Sequence, residues 1–128
     1  MHAIAHGIDI VEVSRIAELR GEHGRRFMDR CFTADEQRYC LERRRGDEHL
    51  AGRFAAKEAV LKALGLGLRG GILWTDIEVR PDEEGAPRVA LHGRAAELAR
   101  ERGIGSWLLS ISHTSTQATA SAIGLSAG

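Results

Sequence analysis

Leu50-Ala51-Gly52-Arg53-Phe54-Ala55-Ala56-Lys57-Glu58-Ala59-Val60-Leu61-Lys62-Ala63-Leu64-Gly65 reads as the body of one long helix. Leu50, Phe54, Leu61 and Leu64 form an apolar stripe at helical spacing, and Ala51, Ala55 and Ala59 let neighbours approach closely. The helix starts near Asp47 and closes at Gly65, a residue suited to a left-handed cap. It holds both lysines of the chain; every other basic residue is arginine. Glu58 and Lys62 are four apart and stack on one face, whereas Lys57 points about a quarter turn away. The same spacing describes a solvated surface pair, so this helix alone does not decide between structure and chemistry.

Working outward, Ala3 to Val11 reads as a strand rich in β-branched residues. Asp9 stands inside its apolar end, between Ile8 and Ile10. A carboxylate there is costly unless it is exposed, paired or bound to a cation, or caps the next segment. Val13 to Leu19 predicts a short helix broken by Gly21 and Gly24, and Arg25 to Phe32 a second one. Thr33-Ala34-Asp35-Glu36 is a capping box that opens a helix through about Arg44. Arg43, Arg44 and Arg45 then place cations at the negative end of its dipole.

Beyond the central helix, Gly65-Leu66-Gly67-Leu68-Arg69-Gly70-Gly71 predicts a loop able to cover a ligand, or simply a helix end. Trp74 to Arg80 reads as a strand, Pro81 to Gly85 as a turn, and Pro87 to Leu91 as the returning strand. Ala95 to Arg102 predicts a helix. Ser106 to His113 predicts a strand with Trp107, Leu109, Ile111 and His113 on one face. Ala118 to Leu125 returns, with Ala118, Ala120 and Ala122 sharing a face that suits close approach by a helix or another subunit. The expected class is α+β: one domain over residues 1–128, with an antiparallel sheet packed against a long central helix.

The chain has 128 residues, and 43% are hydrophobic and 28% charged, as in globular domains that bury a core unaided. Formal net charge is zero, so nothing global points to nucleic acid. Charge is uneven: Val13 to Arg45 carries nine arginines against six acids, and Asp76 to Ala90 five acids against two arginines. A basic front half suits an acidic partner, although solvated helix faces give the same balance. No apolar run is long enough to span a membrane, and the first residues lack a signal-peptide pattern, so a cytoplasmic location is expected. Cys31 and Cys40 form no C-x-x-C motif, and the histidines form no zinc signature.

Asp9, Glu58 and His113 are the unusual polar positions. Two carboxylates without sulfur suit a hard cation such as Mg²⁺, which leaves its other positions to water and substrate phosphate. Lys62 would then stand close to that phosphate. A Glu58–Lys62 pair with Asp9 as a cap explains the same residues without function.

Five blocks in order carry a resemblance: Gly7-Ile8-Asp9-Ile10-Val11-Glu12 with Arg15-Ile16; Phe32-Thr33 with Glu36; Arg53 to Ala59 with Lys62-Ala63; Asp76-Ile77-Glu78-Val79; and Ser110-Ile111-Ser112-His113. Together they resemble the holo-acyl-carrier-protein synthases, the short bacterial 4′-phosphopantetheinyl transferases, over about Ile4 to Ile123. That resemblance implies the transferase fold and Mg²⁺-dependent transfer of the 4′-phosphopantetheine arm of coenzyme A to a serine of apo acyl carrier protein. Adenosine 3′,5′-bisphosphate is the other product, and fatty acid biosynthesis the setting. It implies that Asp9 and Glu58 bind Mg²⁺, and that Glu58, directly or through a water, is the base for the carrier serine. Lys62 would contact phosphate and offset leaving-group charge. His113 would join the nucleotide-phosphate pocket, and Arg53 and Gly65 are further coenzyme A-binding positions. Arg15 and Arg26 would face the acidic carrier. A homotrimer with sites between subunits is implied, with the alanine row from Ala118 near the threefold contact.

Two departures stand out. Gly65-Leu66-Gly67 replaces the family's usual Gly-Thr-Gly and loses a hydroxyl, and His6 stands where glycine is common. Two other classes fit parts of the pattern: a carrier-binding module without transfer activity, and a structural homo-oligomer built on the alanine-faced sheet.

Overall fold

The computed structural model of the chain describes residues 1–65 and 68–128. Among these, five helices and five strands follow in the order β1 (Ala3–Glu12), α1 (Val13–His23), α2 (Arg25–Cys31), α3 (Ala34–Leu41), α4 (Gly46–Leu64), β2 (Ile77–Pro81), β3 (Pro87–Leu91), α5 (Gly93–Glu101), β4 (Ile104–His113) and β5 (Gln117–Ser126). β1, β5 and β4 form one antiparallel sheet in that order, and β2 and β3 form a separate hairpin. The expected α+β class is present.

Alternation along the sheet decides what it faces. Gly7, Val11, Ala118, Ala120, Ala122 and Gly124 are buried and face inward. Gly7 is pressed so closely on α4 that a Cβ there would lie 1.8 Å from the Ala59 carbonyl oxygen. Ile111 of β4 packs on Gly52 in the same way. The alanine row therefore makes room for the chain's own α4, the helix that its small side chains allow to approach. The opposite face carries Ile4, Ile8, Ile10 and Leu108, all exposed.

α4 has little solvent-facing surface. Leu50, Ala51, Ala55, Ala56, Ala59, Val60, Leu61 and Leu64 are all buried, with α1 and α3 covering flanks that the sheet leaves free. Its leucines and valine each contribute about 1.5–3 kcal/mol by burial. The single-stripe expectation is thus replaced by a helix at the centre of the core. Gly65 closes it in the left-handed conformation, φ 82°, as expected.

Several boundaries differ from the sequence reading. α1 continues through Gly21 to His23 and breaks at Gly24, φ 51°. α3 opens with the full capping box of Thr33 and Glu36 but stops at Leu41. Arg43 still serves its carboxyl end by donating to the Tyr39 carbonyl, 2.8 Å. Trp74–Asp76 is a 3-10 turn, and strand geometry begins only at Ile77. The Leu66 substitution in the glycine loop lies outside the described residues, as does Gly67.

Candidate active site

β1 and α4 bring Asp9, Glu58 and Lys62 together. Gly7 lets β1 lie against the α4 backbone, so the inward-pointing Asp9, two residues on, meets the Glu58–Lys62 face. Lys62 Nζ donates to Asp9 Oδ1 and to the Ile8 carbonyl, both at 3.0 Å. Asp9 is mostly covered and Lys62 half exposed, so the lysine head sits at the mouth of the site. Thr119 of β5 holds the Asp9 carbonyl through its hydroxyl, 2.8 Å. Burial raises the Glu58 carboxyl above its ordinary value and the Asp9 charge raises it further, while Lys62 and Arg15 pull it down. A carboxyl whose ionisation a neighbouring carboxylate disfavours gains from a cation between the two.

The donor set fits a hard divalent ion. The cluster offers carboxylate oxygens and no sulfur, and among the described residues no group of three or more His, Cys, Asp or Glu is placed to hold a metal ion. The described residues thus offer two ligands here and leave the remaining positions to water and substrate, the pattern of Mg²⁺ rather than of a caged structural metal.

His113 does not join this cluster within one chain. Its Nδ1 is 3.0 Å from Glu48 Oε1, in the first turn of α4. Glu48 and Glu58 are ten residues apart, or about 15 Å along the helix axis. Around His113 lies a second group, of which the sequence indicates Arg53 but not Tyr39, Arg43, Glu48 or His49. His49 meets His113 edge-on at 5.4 Å and Tyr39 at 6.1 Å, and the guanidiniums of Arg43 and Arg53 lie over the Tyr39 ring at 3.4 and 3.9 Å. The His49–Arg53 spacing of four is the signal that was available. Burial lowers the His49 pKa first, and the neighbouring His113, Arg53 and Arg43 charges lower it further. Arg53 is buried, and its Nε has no hydrogen-bond partner. A cationic group with an unspent donor suits an anion. Gly65 stands at the other end of α4, where Arg102 donates to the adjacent Leu64 carbonyl.

Arg15 and Arg26 are both exposed. Arg26 rims a groove of about 410 Å³ between α1, α2 and α4, whose floor includes Leu19, Phe27 and the stacked Phe54 and Trp74 rings. Phe54, in the groove wall, is one helical turn before Glu58. Arg15 lies near enough to Glu58 to influence its charge.

Comparison with known proteins agrees with this architecture. The family model described as the 4′-phosphopantetheinyl transferase superfamily matches residues 5–118. A holo-[acyl-carrier-protein] synthase of Koribacter versatilis is 48% identical over 117 residues, covering 91% of this chain and 94% of that protein. The crystal structure of the Neisseria meningitidis holo-[acyl-carrier-protein] synthase superposes with a TM-score of 0.87 at 32% identity, covering 97% and 99% of the two chains. That of the Helicobacter pylori enzyme in complex with coenzyme A superposes at 0.83 and 30% identity, covering 94% and 99%. The chain belongs to the 4′-phosphopantetheinyl transferase superfamily, in its family of holo-acyl-carrier-protein synthases.

Proposed function

We propose that this chain transfers the 4′-phosphopantetheine arm of coenzyme A to a serine hydroxyl of apo acyl carrier protein and releases adenosine 3′,5′-bisphosphate. The observation that carries this reading is the meeting of Asp9, Glu58 and Lys62 at one exposed mouth, beside an apolar groove rimmed by arginine. Asp9 and Glu58 would hold Mg²⁺, which when bound neutralises pyrophosphate charge and polarises the phosphate under attack. Glu58 takes the serine proton, directly or through a water. Lys62 moves from Asp9 to the departing phosphate and offsets the charge that develops there. Phosphoryl-type transfer asks for this kind of placement and neutralisation more than for a covalent intermediate.

The acidic carrier would dock along α1 and α2, with Arg26 at the rim of the groove and Arg15 closer to the reacting centre. Arg53 and His113 would take the nucleotide phosphate, and Gly65 would line the coenzyme A site. The 3′-phosphate and the pyrophosphate of coenzyme A branch from one ribose, whereas Glu48, which His113 contacts, stands about 15 Å from Glu58 along α4, and Arg53 is turned onto the Tyr39 ring of the His113 group. A neighbouring copy therefore supplies Arg53 and His113, in a homotrimer of a cytoplasmic enzyme. The exposed Ile8, Ile10 and Leu108 on the outer sheet face support such an assembly, because apolar groups gathered on one face favour association.

The test of transfer is chromatographic. Adenosine 3′,5′-bisphosphate should appear in equal amount to carrier modified, and only when carrier, coenzyme A and Mg²⁺ are all present. Its formation without carrier would indicate hydrolysis instead. The shared site is tested by mixing two inactive variants, Glu58→Gln and His113→Ala, under conditions that exchange subunits. Activity should return in the mixture; no recovery after proven exchange would place each site within one chain.

A further inference from the structure

We infer that Lys57 is a positioning residue for Glu58: it clamps the rotation of α4 so that the neighbouring carboxylate faces Asp9. The inference rests on the reading of Glu58 as metal ligand and base. Lys57 is completely buried, and it spends its cation on three different elements. Its Nζ donates to Glu36 Oε1 on α3 at 2.7 Å, to the Trp74 carbonyl in the 3-10 turn at 3.2 Å, and to the Ile77 carbonyl at the start of β2. An ammonium has three protons, so all are used. Glu36 is equally committed: Oε1 also accepts from the Thr33 amide and Oε2 from the Val79 amide, both at 2.9 Å.

A completely buried ion pair is a weak source of stability, because desolvation offsets most of the attraction. What this one supplies is direction. The sheet holds one side of α4, where Gly7 packs against Ala59 and Ala63. Lys57 adds a hydrogen-bonded stop on the flank away from that contact, one residue before Glu58. A helix with side chains has a radius of about 5–6 Å, so a 10° turn moves a carboxylate at its rim by about 1 Å. A misplacement of about that size is enough to cost on the order of 100-fold in rate.

The test is Mn²⁺ titration of the full chain, read by the electron paramagnetic resonance of free Mn²⁺, alongside kcat, carrier KM and thermal unfolding. The variant is Glu36→Gln with Lys57→Met, which removes both charges together and leaves neither buried alone. The expected result is a folded protein whose Mn²⁺ dissociation constant rises about tenfold or more, the scale of support-residue losses. Its kcat falls while carrier KM stays at the wild-type value. Lys57→Arg keeps a cation against Glu36 and should recover part of the affinity. A purely structural pair would lower the unfolding temperature and leave Mn²⁺ affinity unchanged in the folded protein, which would overturn the inference. Failure of both variants to fold would overturn it too, by showing that the pair is needed for the fold itself. If wild-type protein binds no Mn²⁺, the metal reading falls and this inference with it, so the wild-type titration tells the two failures apart.

Discussion

Replacing Gly7 by alanine should damage fold and site together. The added Cβ would lie 1.8 Å from the Ala59 carbonyl oxygen, 2.8 Å from its carbon and 2.9 Å from the Ala63 nitrogen. Those atoms are helix backbone and have no rotamer to move. Relieving the contact to even 3.0 Å requires β1 to retreat by about 1.2 Å, and overpacking of this kind costs about 1–3 kcal/mol. β1 cannot move alone, because Gly7 is paired with Ala122 of β5 and the strands are joined along their length. Asp9, two residues on, moves with it and leaves Glu58 and Lys62. Urea unfolding followed by tryptophan fluorescence should therefore show a midpoint lower by about 1 M. Transfer by the folded variant should fall on the order of 100-fold. A variant with wild-type midpoint and wild-type transfer would refute the claim that this contact sets the spacing of the site.

Other outcomes follow from single groups. Glu58→Gln should lose turnover by orders of magnitude and yet, without metal, unfold at or above the wild-type temperature at neutral pH. The folded state holds the Glu58 proton more tightly than the unfolded state, so stability falls as pH rises through the raised pKa, and glutamine removes that cost. Unchanged turnover would remove Glu58 from the site. Arg26→Glu should raise carrier KM, more at low salt than at high, with kcat little changed; an unchanged KM would point to another docking face. Burial pushes the Cys40 thiol up to about 11 from an ordinary 9.0. Folded protein then keeps a proton that unfolded protein releases, so stability should decline between about pH 9 and 11, by about 2–3 kcal/mol at most. Cys40→Ala should flatten that decline, and a persistent slope would assign it elsewhere.

Features that depend on near neighbours in the chain were legible in the sequence. The Thr33–Glu36 capping box, the left-handed Gly65, the hairpin of β2 and β3, and the shared face of Glu58 and Lys62 are all settled within a few residues. The fate of Lys57 was not legible. Periodicity assigns faces by assuming that one looks at water, and α4 lies between the sheet and other helices, so a lysine a quarter turn away could be lining or core. The alanine row of β5 was ambiguous for the same reason: small residues announce close approach but not by what. Gly21 was misread because a helical glycine costs only about 1 kcal/mol, which the packing of Ile16 and Leu19 outweighs. Glu36 was read as a cap and is also the partner of Lys57, a contact across 21 positions that no local pattern reveals. The separation of His113 from Asp9 follows from strand order, which the alternation of each strand leaves open.

The most direct measurement is the intact mass of an apo acyl carrier protein after incubation with this chain, coenzyme A and Mg²⁺. The carrier should gain the mass of one phosphopantetheine arm, on a single serine, and chelation of the metal should abolish the gain. A carrier of unchanged mass at every Mg²⁺ concentration, with folded protein present, would contradict the assignment.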